Sequence, residues 1–129
     1  MDVLLDTHTL LWWLDGDPRL PDNARTVIAD EANPVYVRAA SAWEMSTKFR
    51  IGKLSGAREV VENLLAVLQG QLFQELPIRL AHARLAGLLP GPHRDPFDRM
   101  LAAQAQLEEL ILLSNDRVFD NFGVRREWD

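Results

Sequence analysis

The sequence predicts a single α/β domain with a mostly parallel sheet, and three observations predict it. Short apolar runs of strand length alternate with amphipathic stretches of helix length along the whole chain, the pattern of helices packed against a parallel sheet. Turn punctuation such as "DGDPRL" and "PGP" falls between these stretches. The 129 residues suffice for one hydrophobic core and not for two, so residues 1–129 are read as one domain.

The elements follow in order. "DVLLD" is an apolar strand that ends on an acid, and "THTLLWWLDGDPRL" is a short helix closed by a Gly/Pro turn. Residues 22–32, "DNARTVIADEA", form a second helix with Asp22 as its cap, and "PVYVRA" is rich in β-branched residues and reads as the second strand. "SAWEMSTKFRIGKL" starts a helix with Ser41 at the cap and Glu44 three residues on, an S-x-x-E capping box. Residues 57–69 have helical apolar spacing and read as one helix. "LFQELPI" is a weaker strand interrupted by Pro77, and "RLAHARLAGLL" is helical up to "PGP". "HRDPFDRMLAAQA" opens a helix that runs to about residue 109; "LILLS" is a buried strand, "NDRVFDNF" a short helix and "VRREW" a last strand.

Composition excludes several classes. With 47% hydrophobic and 26% charged residues the chain is globular rather than disordered or fibrous. It has no cysteine, so disulfides and thiolate metal sites are out, and a reducing cytoplasm suits it. The amino-terminal "MDVLLDTHTLLWWLDGD" lacks a basic leader and is broken by Asp6 and His8, which does not read as a signal peptide. No stretch reaches the roughly 18 apolar residues of a membrane span. A net charge of −5 argues against broad electrostatic binding of nucleic acid, so any such work needs a local basic patch or bound cations.

In parallel α/β sheets ligands bind beyond the carboxyl ends of the strands, and four acids fall at strand-to-helix junctions: Asp6, Glu44, Asp98 and Asp116. Single acids there have ordinary explanations. Asp6 and Asp116 suit helix caps, Glu44 suits the capping box, and Asp95 before Pro96 is an N-cap with proline at the first helical position. Asp98 is different: at 100° per residue it points between Leu101 and Ala105 on one side and Ala102 on the other, away from Arg99 and Gln106. A charge leaning toward a packed face needs a partner, which a cation or a wet cleft supplies. Clustered carboxylates repel, so a site holding several of them either keeps some protonated or binds a metal. An oxygen-only donor set favours Mg²⁺ or Mn²⁺, and such an ion can support phosphodiester hydrolysis.

On these motifs the chain resembles the PIN-domain ribonucleases, most closely the VapC-type toxins of bacterial toxin–antitoxin pairs. "LLDTHTLLWWL" is similar to the family's opening strand with its first metal-binding acid, Asp6, and "SAWEMSTKFRIGKL" to its second motif, with Glu44. "HRDPFDRMLAAQA" resembles the third, with Asp98, and "LLSNDRVFDNFGV" the fourth, with Asp116. The resemblance implies a three-layer α/β/α fold and an endoribonuclease dependent on Mg²⁺ or Mn²⁺ held by Asp6, Glu44, Asp98 and Asp116. It also implies RNA as substrate, a homodimer, and a cognate VapB-like antitoxin through which the complex reaches operator DNA.

Supporting residues carry further expectations. Thr7 and Ser114 adjoin the acids and either bond to them or cap helices. His8 is read as a structural hydrogen-bonder with substrate contact as the alternative, and His82 and His93 lack the i, i+4 partner of a zinc site. Lys48, four residues after Glu44, either pairs with it on the helix surface or joins Arg50, Lys53, Arg94 and Arg99 in a basic rim for RNA phosphates. Trp12, Trp13 and Trp43 are expected in the core or a dimer interface rather than as base-stacking platforms, and residues 57–73 in the core rather than on a partner. Two other functions compete: a catalytically silent module of the same fold that binds RNA or a protein partner, and an aspartyl phosphatase. "DTHT" lacks the second acid of a D-x-D nucleophile motif, which weighs against the phosphatase.

Overall fold

The shortest apolar runs become the centre of the sheet because both of their faces find cover. In the computed structural model, which describes the backbone of residues 1–129 and every side chain except that of Ser55, β1 (Val3–Leu5) and β4 (Ile111–Leu113) are buried throughout. They are flanked by β2 (Val35–Arg38), β3 (Gln74–Leu76) and β5 (Arg126–Glu127). The order is β3-β2-β1-β4-β5 and every pair is parallel, with Val3 opposite Val35 on one side and Ile111 on the other.

Alternation along the strands divides the side chains between two cores. Leu4 and Leu112 pack with Leu101, Phe119 and Phe122, beneath α6 (Leu80–Leu88) and α7 (Pro96–Leu107). Val3, Leu5, Val35, Val37, Ile111 and Leu113 face the other way. They meet Leu10, Ile28 and Met45 from α1 (Thr7–Asp15), α2 (Asp22–Ala29) and α3 (Ala39–Arg50). The expected three-layer α/β/α arrangement is therefore present, with a sheet that is wholly parallel. Among the described residues no helix is long and apolar enough to cross a membrane.

Three local expectations differ from the structure. Asp22 is not the cap of α2: Pro21 holds that position and Asp22 is already inside the first turn. The capping box of Ser41 and Glu44 does not form, because α3 starts directly after β2, with Arg38 as its N-cap residue and no side-chain cap. Ser41 is buried instead, and its hydroxyl is taken by Arg38 Nε at 3.2 Å. The single helix over 57–69 is two, α4 (Arg58–Glu62) and α5 (Leu64–Gly70). Between them Asn63 leaves helical geometry (φ −122°, ψ 28°) while its amide bonds back to the Glu59 carbonyl at 3.2 Å, the competition for backbone partners that makes Asn a poor interior residue. Residues Arg117–Phe122 form the expected short helix as a 3-10 turn.

The Asp95 cap is present, with Oδ1 accepting from Phe97 N at 2.8 Å and Asp98 N at 3.1 Å. Asp95→Ala is expected to cost about 0.5–2 kcal/mol. Asp22→Ala, which removes only a charge from a first turn, is expected to cost about 0.3–1 kcal/mol. Urea unfolding of the two variants side by side checks the contrast.

Connectivity places the site. From β1 the chain winds outward through β2 to β3, then returns to the other side of β1 to lay down β4 and β5. The direction reverses between β1 and β4, and the crevice at their carboxyl ends is where such folds bind ligands.

Candidate active site

Asp6 follows β1 immediately and is the N-cap of α1: its backbone N–H reaches Leu113 O, and its Oδ1 accepts from Thr9 N at 2.8 Å. Thr9 Oγ1 also donates to Leu113 O at 3.0 Å, which ties the start of α1 to the end of β4. Gly16, at φ +65°, closes that helix.

Glu44 lies on α3 and is held by three groups. Thr7 Oγ1 is 2.7 Å from its Oε1 and Lys48 Nζ 2.9 Å from its Oε2, with Arg38 Nη2 3.8 Å away. Thr7 has one hydroxyl proton and lies 3.1 Å from Ser41 Oγ. The shorter contact takes that proton, so Ser41 donates to Thr7, and a chain Arg38–Ser41–Thr7–Glu44 results. Burial works to raise the Glu44 carboxyl, but the bonds from Thr7 and Lys48 and the charges of Lys48 and Arg38 outweigh it, holding it below the ordinary range.

Asp98, in the first turn of α7, takes a hydrogen bond at 2.8 Å between its Oδ2 and His93 Nε2. Burial raises its carboxyl above the ordinary value; His93 opposes this, while the charges of Asp95 and Asp116 add to it. Asp116 is exposed after β4, its N–H on Ser114 Oγ at 3.1 Å and its Oδ1 capping Val118 N at 3.0 Å. Arg38, 2% exposed, donates to Phe97 O at 2.7 Å, joining the end of β2 to the start of α7. Burial lowers its pKa, and Glu44, Asp6, Asp98 and Asp95 work against that.

All four predicted acids, with Asp95, line one open cleft of about 630 Å³. The topology thus brings them to a common wall. It does not bring them into a metal-ready group: among the described residues no three His, Asp or Glu side chains are placed to hold an ion together. Oxygen-only donors suit Mg²⁺ or Mn²⁺ in kind, but in this arrangement Asp6, Asp98 and Asp116 each spend an oxygen on a protein donor and Glu44 spends both. The residues as placed do not fit the implied ion.

The opposite shifts of Glu44 and Asp98 predict opposite pH behaviour. Glu44, with a lowered pKa, contributes stability above its unfolded value that is lost as pH falls through the folded one. Asp98, with a raised pKa, disfavours the fold when ionised, and this is relieved as pH falls through its folded value. Asp98→Asn is therefore expected to raise the urea midpoint at pH 7 and Glu44→Gln to lower it, with both differences shrinking toward pH 3.

A family model described as PIN domain matches residues 3–124. The chain belongs to the PIN-domain family. No curated protein sequence matches it. Among solved structures, one chain of the VapBC2 complex of Rickettsia felis, bound to a DNA fragment from its promoter, is similar over 100% of both chains at 18% identity and TM-score 0.75. A chain of the DNA-bound VapBC complex of Salmonella typhimurium has 20% identity and TM-score 0.68 over 98% of this chain and 97% of that one. A chain of FitAcB from Neisseria gonorrhoeae has the same identity and TM-score over 98% and 96%. At such identities the likeness is one of fold.

This PIN domain carries cationic groups at the cleft that differ from the expected rim. Lys48 lines it, and Lys53 lines a smaller pocket beside it. Arg50 and Arg94 are exposed and outside the lining. Arg99 is turned away, its guanidinium donating to the Ala86, Leu89 and His93 carbonyls, where it satisfies the end of α6. Arg19, Arg38 and Arg117 line the cleft instead. Only Arg38 had a signal, a charge closing the apolar run "VYV". Trp12 also lines the cleft while packing half-buried on the core, Trp13 packs nearby with Nε1 on Gln71 Oε1 at 2.9 Å, and Trp43 is 66% exposed against Phe97.

Proposed function

We propose that this PIN-domain chain is the toxin member of a toxin–antitoxin pair and that its cleft is an RNA site. The observation that carries the proposal is the convergence of Asp6, Glu44, Asp98 and Asp116, from four separate elements, on the crevice where the sheet reverses, with Arg19, Lys48 and Arg117 in the same wall. Cations there supply the phosphate attraction that a net charge of −5 denies the rest of the surface. The structural relatives named above are complexes of toxin–antitoxin systems, two of them bound to DNA. A cognate VapB-like antitoxin, operator DNA reached through it, and a homodimer are the partners this reading takes.

The arrangement supports binding without turnover best, because the carboxylates are held by protein donors and none are grouped for a metal. The finer reading, an endoribonuclease dependent on Mg²⁺ or Mn²⁺, is supported by the donor types and their shared wall. It requires Asp98 to leave His93 and Glu44 to leave Lys48.

The two are separated by incubating purified protein with single-stranded RNA, with Mg²⁺, with Mn²⁺ and with EDTA, and following both binding and strand length. Retained RNA of unchanged length in all three supports binding alone. Cleavage with metal only, abolished in Asp98→Asn and Asp6→Asn, establishes the nuclease; cleavage undiminished in both variants removes carboxylates from the chemistry. Absence of RNA binding in every condition sinks the RNA site itself.

A further inference from the structure

The geometry points to Trp12, flanked by His8 and Arg19, as a stacking platform that holds a nucleobase at the mouth of the acidic cleft. This deepens the RNA-site reading and rests on it. All three side chains line the cleft that also holds Asp6 and Glu44. Trp12 and His8 are one helical turn apart on α1, with ring centroids 5.8 Å apart and planes inclined by only 31°. The Arg19 guanidinium lies 5.0 Å from the Trp12 ring centroid, and Asp17 fixes it there through contacts of 2.7–3.2 Å. Trp128 packs against Trp12 with ring centroids 5.9 Å apart and braces the indole.

Core packing accounts for only part of this arrangement. Trp12 packs half-buried against the apolar cluster, and the rest of it lines the cleft beside an exposed histidine and an exposed arginine. Flat π surfaces and a guanidinium plane are the partners on which unstacked bases are held in single-stranded RNA. They tolerate any base, because every base has a π face. Lys48, in the same lining, is a cation available to the phosphate of a nucleotide seated here. The cleft then discriminates single strands, whose bases are free, from duplex, whose bases are not.

Fluorescence anisotropy tests this with the full chain in EDTA, titrated into a short labelled single-stranded RNA and into the same oligomer with abasic nucleotides. Trp12→Leu is expected to weaken binding of the base-carrying oligomer by about 5- to 150-fold. It should leave the abasic oligomer nearly unaffected, and Trp12→Phe should restore most of the loss. Arg19→Ala, at an exposed position, should weaken the base-carrying oligomer more than the abasic one. Wild-type protein that binds both oligomers equally, or a Trp12→Leu loss of the same size on both, overturns the platform while leaving the RNA site standing. Wild-type protein that binds neither overturns the RNA site.

Discussion

Arg38→Ala is expected to destabilise the chain by about 3–5 kcal/mol, the scale of breaking a buried charge pair from one side. The side chain is 2% exposed and makes three attachments. Its Nη1 satisfies the Phe97 carbonyl at 2.7 Å, its Nε anchors Ser41 at 3.2 Å, and its Nη2 faces Glu44 at 3.8 Å. Truncation removes the strut between β2 and α7. It also deletes the cation that Glu44, Asp6, Asp98 and Asp95 all feel, so their mutual repulsion grows. Two features distinguish this account from simple loss of packing. Arg38→Lys should recover only part of the stability, because an ammonium keeps the charge but cannot reach three acceptors in a planar fork. The penalty should shrink in acid, where the carboxylates protonate and need the cation less. Urea unfolding at pH 7 and pH 4 reads both, and a loss below about 1 kcal/mol at pH 7 would leave Arg38 as a spectator.

The same residue shows where the sequence was legible and where it was not. "VLL" and "ILL" announce themselves as buried strands because nothing but a sheet interior accepts such runs, and the acids that follow them are placed at the switch point by topology alone. The Asp95–Pro96 pair is legible because its chemistry is complete within four residues. What failed was anything decided by a distant partner. S-x-x-E reads as a capping box until Arg38 and Thr7, three and thirty-four residues from Ser41, claim its hydroxyl environment. Arg99 reads as a rim cation until the carbonyl end of α6 is seen to need it. His93 reads only as lacking the i, i+4 partner of a zinc site, and the fold brings its side chain to 2.8 Å from Asp98. The local grammar thus carried the scaffold and the positions of the acids. Their pairing, which governs their charge state, came from tertiary contacts with no spacing rule.

Phe119→Ala is the second large effect, at about 3–5 kcal/mol. Phe119 is among the largest fully buried side chains, at 2% exposure, and its ring is 6.4 Å from that of Phe122 in the core beneath α7. It also lines the floor of the cleft, so the cavity left by truncation opens beside the site rather than deep in the sheet. Asp116 caps the same 3-10 turn through Val118 N, and the buried side chains of that turn are Phe119 and Phe122. The stability loss should therefore come with loosening of Asp116. Phe122→Ala, at a 7% exposed position against which His93 packs edge-on at 5.9 Å, should cost less and disturb His93 and Asp98 instead. Urea unfolding gives the two costs. Amide hydrogen exchange in the native state separates the consequences, with faster exchange at Val118 expected for Phe119→Ala and not for Phe122→Ala. Equal exchange at Val118 in both variants would show that the cap, and not the ring beneath it, holds Asp116 at the edge of the cleft.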